Sequence, residues 1–133
     1  MSRHGYSDYC DDTSAIGLWR GQVKSAIRGK RGQAFLRELV DSLDAMTEKR
    51  LIAGELRQDG EVCAIGAVGA RRGVNLEALC VEDYDGIADM FGIAHQLVQE
   101  IEYINDVCLG GSATPEERWS RIRAWAENNI KAV

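Results

Sequence analysis

Apolar residues recur every three or four positions along most of this chain, and that period limits it, more than any other feature, to packed helices. Ile16, Trp19, Val23 and Ile27 fall on one helical face, while Arg20, Lys24 and Arg28 form a parallel basic stripe one residue further round. Asp12, Thr13 or Ser14 can cap the start of this helix, and Gly29 and Gly32 bracket Lys30-Arg31 at its end. Phe35, Leu36, Leu39, Val40, Leu43 and Met46 then mark a second helix with Glu38, Asp41 and Asp44 outward. The simplest consequence is an antiparallel pair. Glu82 to Phe91 predicts a short helix stopped at Gly92, and Ile93 to about Asn105 another, with Leu97, Ile101 and Ile104 sharing a face with Ile93. Thr114-Pro115-Glu116-Glu117 is a full helix start, in which a threonine cap, a proline at the first position and a returning glutamate occur together. Trp119, Ile122, Trp125 and Ala126 give that last helix its buried stripe.

The stretch 51–72 carries two competing signals. Asp59-Gly60 is a hairpin turn dipeptide, with Leu51-Ile52 and Val62-Cys63-Ala64-Ile65 as short strands on either side. Glu61 to Arg72 is also rich in alanine and keeps helical spacing at Val62, Ile65 and Val68, and the helix is the preferred reading. With 133 residues, 45% of them hydrophobic and a single proline, the chain is read as one all-α domain spanning 1–133. It forms a compact bundle of five or six helices, with room for a short hairpin near 51–66, and residues 1–12 make a polar N-terminal arm.

The net charge of -5 describes neither part of the molecule. Residues 13–37 hold Arg20, Lys24, Arg28, Lys30, Arg31 and Arg37 with no acid, whereas residues 38–133 hold nine bases against eighteen acids. The basic segment is therefore the candidate binding face, for phosphates or for an acidic protein. The longest near-apolar run, Cys63 to Ala70, has eight residues, far below the roughly 20 that a membrane helix requires, so a membrane partner is not expected. No secretory pattern opens the sequence, and the expected compartment is the cytoplasm, where Cys10, Cys63, Cys80 and Cys108 stay buried free thiols.

Ala88, Gly92 and Val98 have the spacing of a helix-turn-helix, in which a small residue, a turn glycine and a β-branched residue let two helices cross closely. In that reading residues 84–103 form the DNA-binding unit, His95, Gln96, Gln99 and Tyr103 face the bases, and residues 20–37 supply backbone contacts. Glu100 and Glu102 would then face or flank phosphates, and no lysine or arginine occurs from Glu82 to Glu117 to offset them. That composition favours a helix-turn-helix used for packing. His4, Asp8 and Cys10 are the weak candidates for metal ligands, but they lack paired spacing, and no metal or cofactor is expected. There is no P-loop, no G-x-S-x-G elbow and no distinguished acid and base pair, so the chain is expected not to be an enzyme. Gly17 and Gly21, four apart in the first helix, suit close approach of another helix, inside the molecule or at a homodimer seam.

Arg3-His4-Gly5-Tyr6 before Asp8, Asp11 and Asp12, Leu18-Trp19-Arg20-Gly21, Gly29-Lys30-Arg31-Gly32-Gln33-Ala34-Phe35-Leu36, Gly60-Glu61-Val62-Cys63-Ala64-Ile65-Gly66-Ala67 and Asn105-Asp106 ahead of Thr114-Pro115-Glu116-Glu117-Arg118 carry a resemblance. On these residues the chain resembles a group of small proteins encoded in phages and prophages of proteobacteria. The resemblance implies a phage accessory protein, a class rich in inhibitors of host defence and host regulators, and it brings no catalytic residues. The leading expectation is accordingly non-enzymatic binding of a host or phage protein, as an inhibitor of a host defence or regulatory complex, through either the acidic body acting as a nucleic-acid mimic or the basic first helix with its turn, with DNA binding through 84–103 as the alternative.

Overall fold

The computed structural model describes residue 3, residues 13–107 and residues 113–131, with side chains in the first helix described from residue 17. The architecture is an all-α bundle of six helices with one two-stranded hairpin. In chain order these are α1 (Thr13–Arg28), α2 (Lys30–Ala45), β1 (Arg57–Gln58), β2 (Glu61–Val62), α3 (Ala64–Arg72), α4 (Tyr84–Phe91), α5 (His95–Val107) and α6 (Pro115–Asn128), with a 3₁₀ turn at Leu76–Ala78.

Both signals in 51–72 are real, because they occupy adjacent residues. Asp59 and Gly60 both take positive φ, 53° and 81°, the geometry of a two-residue hairpin turn whose twist matches its strands. Arg57 pairs with Val62 and Gln58 with Glu61, and the Ile52 N–H donates to the Val62 carbonyl at 2.9 Å. The strand partner lies nearer the turn than Leu51-Ile52, and the ladder ends where Cys63 caps α3. There the Cys63 Sγ accepts a hydrogen bond from the Gly66 N–H at 3.4 Å.

A single residue, Gly29, joins α1 to α2, so the chain turns a tight corner. Gly32 sits directly under the end of α1, where an added Cβ would lie 1.9 Å from the Ala26 carbonyl oxygen. The core gathers Val23 from α1, Leu36, Leu39 and Leu43 from α2, Ile65 and Val68 from α3, Ile87 from α4, Leu97, Val98 and Ile101 from α5, and Ile122 and Ala126 from α6. The α6 stripe is narrower than expected, since Trp119 and Trp125 are only half-buried, and Trp119 Nε1 donates to the Leu43 carbonyl at 3.2 Å. The capping box at Thr114 and Glu117 is present in both directions. α5 packs against α1, α3, α4 and α6 together, so no long face of it is left to solvent. None of the described helices is long and apolar enough to cross a membrane.

Candidate functional site

The six cations of the basic segment divide by position. Arg20 folds back onto α5, where its Nη1 and Nη2 donate to the Glu100 carboxylate at 2.7 and 3.0 Å. Arg37 Nη2 reaches the Lys131 carbonyl at 3.3 Å. Lys24, Arg28, Lys30 and Arg31 are exposed, and among the described residues none of the four enters an ion pair. They surround the α1–α2 corner. Lys131 adds its ammonium there by donating to the Arg28 carbonyl at 2.8 Å.

Two features make this corner strongly cationic. Gly29 caps α2 without a side chain to accept from the first turn, and that turn carries Lys30 and Arg31 with no acid. Cations at the positive end of a helix dipole are unfavourable by roughly 0.3–1 kcal/mol each, so a negative group brought to this corner is bound by charge and dipole alike. A depression of about 300 Å³ between Gly29, Lys30, Arg31 and Ala94 runs into a broader groove of about 630 Å³ lined by Leu18, Gly21, Gln22 and Gln96. Ser25, Ala26 and Ala94 are common to both. Leu18, at the rim, is 72% exposed, and no described atom comes within 4 Å of a Cβ built on Gly17 or Gly21. The two glycines therefore serve no internal helix contact among the described residues. They leave α1 with a bare strip of backbone.

The helix-turn-helix spacing produces the corresponding backbone. Gly92 takes φ 72° and closes α4, while Ala88 and Val98 are buried where α4 and α5 meet. The side chains assigned to base reading are divided by burial. His95 and Gln96 are partly exposed, with Gln96 Nε2 donating to Gln22 Oε1 at 3.3 Å and His95 Nδ1 lying 3.6 Å from Asp85 Oδ1. Tyr103 is half-buried, and Gln99 is buried at 5% exposure. Glu100 and Glu102, which the sequence placed facing or flanking phosphates, are inside the protein at 3% and 0% exposure. The reason is the central position of α5, which packs against four other helices.

The interior of α5 also holds a charged cluster that sequence reasoning passed over. Arg3, read as part of a polar arm, is buried, and its Nε and Nη2 donate to Asp106 Oδ2 and Oδ1 at 2.6 and 2.9 Å. Asp106 Oδ1 also accepts from Asn105 Nδ2 at 2.7 Å and from the Gly54 N–H at 3.1 Å. Asn105 is held in turn by the Ile52 carbonyl and the Ala64 N–H. The third guanidinium nitrogen of Arg3 lies 3.8 Å from Cys63 Sγ and 3.9 Å from Glu102 Oε1. Among the described residues neither oxygen of Glu102 has a hydrogen-bond partner. Burial pushes the Glu102 carboxyl up to about 8, with Asp106 adding to the rise and Arg3 opposing it. Burial acts the same way on Asp106, but the hydrogen bond and charge of Arg3 outweigh it and hold that carboxyl below its ordinary value. The hint in the sequence was Asn105-Asp106 one turn after Glu102, polar residues on a helix whose polar side was read as facing solvent or DNA.

Of the remaining expectations, His4, Asp8 and Cys10 lie outside the described residues, as do most of the arm 1–12 and Cys108. Cys63 is a buried free thiol, whereas Cys80, in the loop after the 3₁₀ turn, is an exposed one, against the expectation that it is buried. Among the described residues no three His, Cys, Asp or Glu side chains converge as a metal site. No family model, no curated protein and no solved structure matches this chain.

Proposed function

We propose that this protein is a phage or prophage accessory protein of the cytoplasm that works without catalysis, by binding an acidic segment of a host or phage protein on its α1–α2 face. The observation that carries this reading is Leu18, exposed at 72%, beside a groove floored by Gly21, Ser25 and Ala26 that adjoins the depression of Lys30 and Arg31, on a helix face that also exposes Lys24 and Arg28; among the described residues none of these four cations enters an ion pair. A lone exposed leucine is ordinary, but one set over a bare helix face next to a cationic corner has the make-up of an interface, with an apolar centre and a charged flank. A partner helix with an apolar residue between carboxylates would fill the groove and neutralise the flank. Like charges facing each other make a symmetric homodimer through this face unfavourable.

The test is quantitative affinity capture against the wild-type chain, the charge-reversed Arg28→Glu/Lys30→Glu/Arg31→Glu variant and Leu18→Asp, all confirmed folded by circular dichroism. A stoichiometric partner held by the wild type and released by both variants is expected. A partner retained equally by all three would overturn the reading. DNA binding through α4 and α5 is the second reading, favoured by the positive φ of Gly92 and the buried Ala88 and Val98. It leaves His95 and Gln96 as the accessible base-reading side chains, with Gln99 enclosed. Gel-shift titration separates the two, since duplex binding that weakens with salt belongs to the second alone.

A further inference from the structure

Asp106, Asn105 and Glu102 together have the construction of a receptor for a guanidinium group, separate from the α1–α2 face. A planar fork of donors is matched by a carboxylate offering both oxygens in its plane, and Asp106 does this for Arg3 at 2.6 and 2.9 Å. The acceptor is positioned by groups other than its guest. Asn105 and the Gly54 backbone hold the Asp106 carboxylate, and Asn105 is anchored to the hairpin and to α3 through Ile52 and Ala64. Glu102 stands behind, with no exposed surface and, among the described residues, no hydrogen bond to either oxygen; one oxygen lies 3.9 Å from the guanidinium nitrogen that Asp106 leaves to Cys63 Sγ. Two carboxyl groups thus meet one cation. On its outer side the site opens on a cleft of about 440 Å³, whose wall includes Arg3 itself, Gly54, Val81 and Val107.

We infer that this is a guanidinium-binding socket, that Arg3 is its occupant in cis, and that the arginine of another polypeptide takes the socket when Arg3 leaves it. An empty socket would strand the Asp106 charge in the interior next to a second carboxyl, so vacancy is strongly disfavoured and a replacement cation is drawn in. Guanidinium fits where ammonium does not, because only the fork satisfies both oxygens of Asp106 and still presents a donor toward Glu102.

The experiment uses the full chain carrying Arg3→Ala and titrates in ethylguanidinium or n-butylammonium at low millimolar concentration and matched ionic strength, reading the thermal midpoint. A saturable rise of several degrees with ethylguanidinium is expected, with no rise for the alkylammonium and none in the Arg3→Ala/Asp106→Asn double variant. An equal response to both cations, or a response that survives Asp106→Asn, would overturn the socket. An acetylated, amidated Ser-Arg-His peptide should bind more tightly than ethylguanidinium. Weaker binding of the peptide would refute the claim that a polypeptide arginine is the guest. Should Arg3→Ala fail to fold, the same peptide is titrated into the wild type and the Arg3 Nε–H resonance is followed. Displacement of that resonance supports exchange, and an unmoved resonance up to saturating peptide refutes it.

Discussion

Replacing Glu102 with glutamine should make the protein more stable at neutral pH, although it removes an ionisable residue from beside an arginine. The carboxyl is fully enclosed, among the described residues neither oxygen is hydrogen-bonded, and burial raises its folded-state value to about 8 against an ordinary 4.5. In the unfolded chain it ionises normally. Between these two values the folded protein binds a proton that the unfolded chain does not, so wild-type stability falls as pH rises through that window. Each pH unit above 4.5 costs about 1.4 kcal/mol, giving roughly 3 kcal/mol by pH 7. Above about 8 the folded form ionises as well and the cost stops growing. Glutamine has the shape of the neutral acid and carries no such cost, and its amide loses no hydrogen bond that the carboxyl had. Urea unfolding followed by tryptophan fluorescence at pH 4.5, 7 and 8.5 measures the difference. The Glu102→Gln midpoint should nearly match the wild type at the lowest pH, exceed it by the equivalent of roughly 3 kcal/mol at pH 7, and gain about 1 kcal/mol more by pH 8.5, where the difference levels off, at unchanged slope. Asp106 titrates in both proteins and largely cancels from the comparison. A gap independent of pH, or a variant less stable at pH 7, would refute the reasoning, because it would mean that Glu102 is ionised and held by Arg3.

Other substitutions test the frame around this cluster and the α1 face. Asn105→Leu removes the partners of the Ile52 carbonyl and the Ala64 N–H and loosens Asp106, so it should lower stability by about 2–4 kcal/mol in urea titration. Gly21→Ala meets no described atom within 4 Å and should raise stability by about 1 kcal/mol, seen as a higher thermal midpoint. Gly32→Ala, one turn beyond the corner, should do the opposite and cost more than 1 kcal/mol, since its Cβ would sit 1.9 Å from the Ala26 carbonyl and α1 must move away. Thr114→Ala breaks the capping box and should cost about 1 kcal/mol, with faster amide exchange confined to the first turn of α6.

Turns, caps and most helix ends, which local rules govern, agree between sequence and structure, whereas the helix read from Glu61 starts only at Ala64, after a strand pair nearer the turn. Thr114-Pro115 begins a helix, Gly92 ends one, Asp59-Gly60 turns a hairpin, and the apolar period identifies the core positions from Val23 to Ala126. These depend on interactions within a few residues, which sequence order records. The exposed quartet Lys24, Arg28, Lys30 and Arg31 was legible for the same reason, since a basic stripe and a one-residue corner are both local. Arg20 looked identical to them and is not, because its partner Glu100 lies 80 positions away.

The placement of α5 was decided only by the assembled bundle. Its polar residues read as a solvent face, or as a base-reading one, because in an isolated amphipathic helix polar means outward. Packed against four other helices, it keeps only part of its surface outward, and Gln99, Glu100, Glu102 and Asn105 are enclosed with whatever the fold brings to them. What it brings to Asp106 is Arg3, 103 positions away in the chain. Sequence therefore determined the helices, their ends and the charge carried by each segment, as properties of short stretches of backbone and side chain. Tertiary structure decided which charges meet, because the strength of an ion pair is set by distance and desolvation, and neither is written in the order of residues.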